Sequence, residues 1–467
     1  MFASCPPRRF SHVRGVTKLP TGIKSSPVAA LRDGVRAILA APPLVKSIVA
    51  ILFLLTLLML PFGRTGAGDA GGLLAPLTSD SSRFRPKGGA GLPATDFYTV
   101  YDAGARLLAL HDPYGVNLDA GGAGFRAPSV SIYRYPPITT FWLAAPLNVL
   151  PPYAAYVAWT LLCVAMLAGN FLLCAGMRPP LIPAFALIWF GWFPTIAELH
   201  MGQFTLLMAT LMLWGVEWLW RGDGRGGVAW ALAVMLKVYP IAMAPSLFLW
   251  GRRRLAIATV AILLGSTLLW KVALPSQDSG AIDFNLRGGR IVGGMRQPYA
   301  GAQGVQELVT MIGWKLGGKS FAEGFAPPSS YRLLTDPVFI ANGVLLAAFG
   351  AICLWALIVT RGAPNLPAIG LFWLSWFYAY RDCWEHHYML VQALIALLAM
   401  RGVIGWRVMI FCWVFAGAPS FWWLWQRAGM AGSPIAESLG VLYFLQRPVA
   451  VFFLTGLLVQ RIRKPTA

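Results

Sequence analysis

The chain has 467 residues, of which 57% are hydrophobic and only 12% charged, with a mean hydropathy of +0.62. That composition excludes a soluble globular domain and indicates an integral membrane protein. The formal charge of +20 does not imply nucleic acid: Lys and Arg sit in short runs beside apolar segments, RGDGR at 221–225, RRR at 252–254 and RIRK at 461–464, which is the positive-inside pattern of a membrane partner.

Residues 1–43 carry seven Lys or Arg and one Asp and are predicted to form a basic, disordered cytoplasmic tail. No apolar core precedes residue 44, which argues against a cleaved secretory signal; an Arg-rich, acid-poor start also suits an organellar transit peptide. Segment 44–62 is then the first crossing, and 63–136 an external loop, Gly-rich to residue 93 and patterned from Asp96 onward. Phe97, Val100, Tyr101, Ala105, Leu108 and His111 recur at helical spacing, predicting an amphipathic helix along the membrane surface.

Both ends of 137–202 should lie outside, yet it holds three apolar runs, 138–150, 153–176 and 181–199. One of them must fail to cross. The basic runs at 221–225 and 252–254 belong on the same inner side, so the segment between them is predicted to enter the membrane, break at Pro240 and return, with Lys237 near its external tip. Segment 255–274 then runs outward to a second external loop, 275–336. Segments 337–360, 366–380, 389–400, 403–424 and 435–460 alternate to the end. The expected fold is an all-α polytopic bundle over 44–464 with about 10 to 12 membrane segments.

The six cysteines form no CxxC pair and read as buried free thiols. GAGDAG at 66–71 matches GxGxxG formally, but it follows a membrane helix instead of a strand. No GK[ST] loop, HExxH or GxSxG element occurs.

Chemistry concentrates on the predicted external face. Asp96, Tyr98, Tyr101, Asp112, Pro113 and Tyr114, followed by RYPPI at 134–138, gather carboxylates, phenols and Arg134. A reaction on a lipid headgroup uses such a set: a carboxylate as general base, aromatics against sugar faces, a cation on phosphate. Asp96 equally suits a helix cap. Lys237 is an ammonium in an apolar segment, either functional or snorkelling to an interface. Glu385, His386 and His387 start a helix; adjacent histidines make a poor metal pair, and hydrogen bonding to a sugar or phosphate, or an interfacial polar cap, suits them better. Gln203 in GQFTLL lies at a helix start, where free N–H groups favour anions.

Five of these elements occur together and in order: DFYTVYDAGARLLALHDPY (96–114), YRYPPITTFWLAAPLNVLP (133–151), GQFTLLMATLML (202–213), LKVYPIAMAPSLFLWGRRR (236–254) and WEHHY (384–388). In this the chain resembles the polyprenol-phosphate-dependent glycosyltransferases of glycosyltransferase family 87, of GT-C type, whose named members are alpha-mannosyltransferases. The resemblance implies an external active site with Asp96 as catalytic base and a sugar donor linked through phosphate to a polyprenol, used without a nucleotide. An acceptor hydroxyl on a lipid or glycan would attack with inversion. Lys237 and Arg134 would stabilise the departing phosphate, with Gln203, His386 and His387 positioning sugar or phosphate and Tyr98, Tyr101, Tyr135, Glu385 and Tyr388 completing the substrate site. No cofactor or metal is expected, and the location implied is the plasma (inner) membrane with the active site on its external or periplasmic side. The chain departs from the family pattern in the second external loop, where Gln297, Ala300 and Gln303 stand in QPYAGAQGVQEL and an Asn and a Ser are expected near its glycine. The rival readings are a transporter or flippase for a lipid-linked glycan, which would also use a broken helix with a buried Lys, and a noncatalytic membrane subunit.

Overall fold

The computed structural model describes residues 27–62, 94–111, 113–114, 133, 135–249, 252–273, 302–321, 337–360, 365–380, 383–429 and 432–463. Among the described residues the regular structure is helical, with an isolated antiparallel bridge between Ala302 and Trp384. The protein is an all-α polytopic membrane protein. Among the described residues four helices are long and apolar enough to cross a bilayer: Ala154–Met177, Arg253–Trp270, Pro337–Thr360 and Pro434–Arg463. Two bent pairs, Ala29–Ala40 with Pro43–Leu58 (118°) and Pro179–Phe190 with Phe193–Met201 (41°), bring the count to as many as six when each pair is taken as one span. The remaining segments expected from hydropathy are shorter helices, Thr205–Trp220, Arg225–Leu236, Leu366–Ala379 and Trp406–Gly417.

Exposure sorts these helices. Arg253–Ala273 and Pro337–Thr360 leave Leu264, Leu268, Leu269, Val272, Val344, Leu354 and Ile358 uncovered, as lipid-facing helices do. Met389–Met400 is apolar apart from Gln392, which donates to Ile188 O, and is buried along its whole length, which makes it a central strut. Cys163, Cys174, Cys353, Cys383 and Cys412 are free and buried, as expected of small apolar fillers.

The structure corrects one expectation near the start of the chain and narrows another. Residues 27–40, assigned to a disordered tail, form the helix Pro27–Ala40, which Ala41, Pro42 and Pro43 turn sharply away from the following span. Its partner is Pro152–Met177, against which it packs along its length. In the ambiguous stretch 137–202, the run that fails to cross is the first. Pro137–Leu147 is a short helix with a π turn at Thr140–Ala144, about 16 Å long at helical rise against about 30 Å of hydrocarbon. It braces the Thr95–Leu108 helix: Asn148 Nδ2 donates to the carbonyl oxygens of Tyr101 and Ala144, each at 3.0 Å.

The predicted break at Pro240 is present. Arg225–Leu236 ends at Lys237, whose backbone is extended (φ −144°, ψ 127°); a 3₁₀ turn over Tyr239–Met243 and a short helix over Ala244–Leu249 follow. Proline has no N–H to continue the helix, and Trp230 Nε1 donates to Pro240 O at 3.0 Å to hold the corner. The segment returns to where it began, with Arg252 donating to Gly222 O at 3.3 Å.

That meeting point belongs to a basic end of the molecule. Arg401 grips the buried carboxylate of Glu217 with two hydrogen bonds of 2.9 and 2.5 Å, Arg221 adds a third of 2.6 Å, and Arg178 donates to Ala399 O at 3.0 Å. The helix Thr205–Trp220 runs from Glu217 and Trp220 at this end to Thr205 at the other, about 24 Å away at helical rise. Gln203 and Lys237 lie at the Thr205 end.

Two glycines fix how the Thr95–Leu108 helix meets its neighbours. A side chain on Gly104 would run into the backbone of Ala144, with the carbonyl oxygen 2.2 Å from the Cβ position. Gly202 holds a left-handed φ of +63° while facing Phe97. Gly104→Leu is therefore expected to destabilise the protein by about 1–3 kcal/mol through overpacking, read as a lowered Tm in detergent, whereas Gly265→Leu, inside the Arg253–Ala273 helix with open space at its Cβ position, should move Tm less.

Candidate active site

Asp96 lies in the first turn of Thr95–Leu108, near the positive end of the helix dipole. It is not the cap: the preceding position is Ala94, in a left-handed conformation with no side-chain cap bond. The helix start is instead docked by Ala94 N donating to His200 O at 2.7 Å. The Asp96 carboxylate accepts a 2.6 Å hydrogen bond from Gln203 Nε2. The other end of the same amide, Gln203 Oε1, accepts from Lys237 Nζ at 3.4 Å and from the Tyr135 hydroxyl at 3.5 Å. With the nitrogen facing a carboxylate and the oxygen an ammonium, the amide orientation is fixed by chemistry. One side chain thus links the two opposite charges. Lys237 also donates to Thr205 Oγ1 at 3.1 Å and lies 5.7 Å from the centre of the Tyr135 ring. Asp96 and Lys237 both keep part of their surface exposed, whereas Gln203 is buried between them.

A second group faces Lys237 from the 3₁₀ turn Glu385–Tyr388. His386 and His387 are buried with ring centres 4.3 Å apart. His387 Nδ1 accepts from Trp384 N at 2.9 Å, which leaves the proton on Nε2. Burial, with Lys237 nearby, pushes both imidazoles well below their ordinary value, so each is neutral at pH 7. Tyr239 stacks on Trp376 and Trp376 on Tyr380, with centres 3.5 and 3.9 Å apart, and all three lie about 6 Å from His387. Neutral histidine donors beside an aromatic wall suit an uncharged polar ligand such as a sugar; the single ammonium suits an anion.

The turn is held from behind. Arg447, in the middle of the Pro434–Arg463 helix, is fully buried. It donates to Glu385 Oε1 at 3.3 Å, to Gln303 Oε1 at 3.4 Å and to Ala416 O. Tyr388 is also fully buried, with its hydroxyl committed to Gln303 O at 2.7 Å. Glu385 and Tyr388, predicted as ligand contacts, also anchor the loop. Tyr98 packs edge-on against Phe97, and Tyr101 ties its hydroxyl to Leu150 O at 3.0 Å; both hold the Asp96 helix in place. Arg134, Asp112, Gln297 and Ala300 lie outside the described residues. Among the described residues no group of three or more His, Cys, Asp or Glu is placed to hold a metal.

Sequence reasoning passed over Glu198, Thr205 and Arg447. Two of them left a signal: Glu198 is the one carboxylate between Asp119 and Glu217, and Arg447 interrupts an apolar run, which is where an intramembrane charge needs a partner.

Glycosyltransferase family 87 matches the chain over residues 133–379, just over half of its length. The chain belongs to glycosyltransferase family 87. It is a membrane glycosyltransferase, acting between a sugar donor and a lipid or glycan acceptor. The family 87 match takes in Tyr135, Gln203 and Lys237; Asp96 and the Glu385–Tyr388 turn lie on either side of it in sequence and join it in space. No curated protein and no solved structure matches the chain.

Arg447→Met in this glycosyltransferase leaves buried acceptors without a donor and is expected to cost about 1–3 kcal/mol of stability. Arg447→Lys, which keeps the charge but not the fork, should recover part of that loss; thermal unfolding of the purified protein in detergent measures both.

Proposed function

We propose that residues 44–464 form a GT-C-type enzyme that transfers a sugar, mannose in our reading, from a polyprenyl-phosphate donor to an acceptor hydroxyl at the external face of the plasma membrane. The observation that carries this reading is the Asp96–Gln203–Lys237 bridge, which sets a base and a cation at fixed separation within one partly open site. In the reaction, the acceptor oxygen bonds to the anomeric carbon as its proton passes to Asp96. The bond from that carbon to the donor phosphate oxygen breaks on the opposite face, and the configuration inverts.

The departing polyprenyl phosphate gains one negative charge. Lys237, already aimed by Gln203 and Thr205, meets that charge where it develops, the form of stabilisation that favours the transition state over the bound donor. Arg134 is proposed as a second cation. His386 and the Nε2–H of His387 would hold the sugar hydroxyls, and Tyr135 and the Tyr239–Trp376–Tyr380 stack would form the walls.

Support for an external site comes from the far end of the Thr205–Trp220 helix. Arg221, Arg252 and Arg401 gather there, and the positive-inside rule assigns that end to the cytoplasm. A transporter would also use a broken helix, but nothing in the arrangement favours it over the transferase.

The expected outcome is that membranes bearing the wild-type protein transfer label from polyprenyl-phosphate mannose to lipid or glycan, and that Asp96→Asn at matched expression loses about 10²-fold or more, the scale of a lost general base. Equal transfer by both proteins would remove Asp96 from that role.

A further inference from the structure

Glu198 is fully buried near the end of the Phe193–Met201 helix, four residues before the Gly202 turn. Its Oε1 accepts from Leu206 N at 2.6 Å, and its Oε2 has no hydrogen bond of normal geometry. An isolated carboxylate in such surroundings is costly unless a cation compensates it. Lys237 supplies the dominant positive charge acting on it, yet the two are not in direct contact. Thr205 stands between them: its Oγ1 accepts from Lys237 Nζ at 3.1 Å, and its hydroxyl and amide lie against the Glu198 carboxylate. A hydroxyl that accepts from an ammonium has its own proton left to give, and the carboxylate is the acceptor in reach.

We infer that Glu198, Thr205 and Lys237 form a carboxylate–hydroxyl–ammonium relay that fixes the charge and aim of Lys237 from behind the site. Glu198 exposes no surface to a ligand, so it is a positioning residue and acts through Lys237. The relay closes a circuit within nine residues: the turn between Glu198 and Leu206 delivers the counter-charge, the bridging hydroxyl and, through Gln203, the amide that reaches Asp96. The ammonium is thereby held between two carboxylates, Asp96 on the ligand side and Glu198 behind.

This inference rests on the function proposed above for its kinetic consequence but not for its physical one, so two measurements separate them. The first is thermal unfolding of the purified full chain in detergent for wild type, Glu198→Gln, Lys237→Met and the double variant. Glutamine keeps the acceptor for Leu206 N and removes only the charge. The expected result is that Lys237→Met lowers Tm and that adding Glu198→Gln restores part of it, because the buried carboxylate no longer lacks its cation. Losses that simply add would overturn the relay.

The second is turnover with polyprenyl-phosphate mannose. Glu198→Gln and Thr205→Val are each expected to lower kcat about tenfold with little change in KM, as for an interaction realised in the transition state; Thr205→Ser, which keeps the hydroxyl, should restore activity. In a Lys237→Met background, Glu198→Gln should change kcat less than about twofold, since coupled residues fail to add. The same fold loss in both backgrounds would contradict the inference. If the wild-type protein transfers no sugar from any polyprenyl-phosphate donor, the proposed function fails while the unfolding experiment still decides the relay.

Discussion

An ammonium group placed among apolar helices sets the terms for the rest of this structure. Removing such a charge from water costs several kcal/mol unless fixed partners replace the lost hydration, and here the partners come from separate stretches of chain. Gln203 and Thr205 receive the Lys237 hydrogen bonds, Tyr135 offers its ring, and Asp96 and Glu198 supply negative charge. The helix Arg225–Leu236 stops at Lys237, and it is from this extended backbone that the side chain meets Gln203 and Thr205.

The same requirement explains the division of the molecule into two polar ends. At one, Glu217 is wrapped by Arg221 and Arg401, with three charge-assisted hydrogen bonds spent on a single buried carboxylate. At the other, Asp96 and Lys237 are joined through an amide instead of directly and remain partly open. A direct salt bridge would satisfy both charges and blunt them toward a ligand; an intervening glutamine holds them apart while keeping each oriented. The buried layer beneath, with Arg447 on Glu385 and Gln303 and Tyr388 on Gln303, makes the histidine turn equally firm.

Much of this was legible in the chain itself. Apolar run lengths located the spans at 44–62, 255–274, 337–360 and 435–460, and the conflict between the two basic runs exposed the broken segment around Lys237. Helical spacing found Thr95–Leu108, although its apolar face packs into the protein, with Phe97 and Val100 fully buried. What was not legible depends on three-dimensional meeting. Glu198 looked like an ordinary polar residue near a helix end, and nothing local tied it to a lysine nearly forty positions later. Residues 27–40 looked like a tail because composition cannot show the packing that they find on Pro152–Met177. The hold of Arg447 and Gln303 on Glu385 and Tyr388 was equally invisible, because the motif does not reveal partners so far along the chain.

The most direct test of the account is a structure of the Asp96→Asn protein, in lipid, with polyprenyl-phosphate mannose bound and turnover blocked. The account predicts the donor phosphate within hydrogen-bond distance of Lys237 Nζ, with the sugar between residue 96 and the His386–His387 turn. A donor phosphate seated instead among Arg221, Arg252 and Arg401 at the other end of the bundle would contradict it.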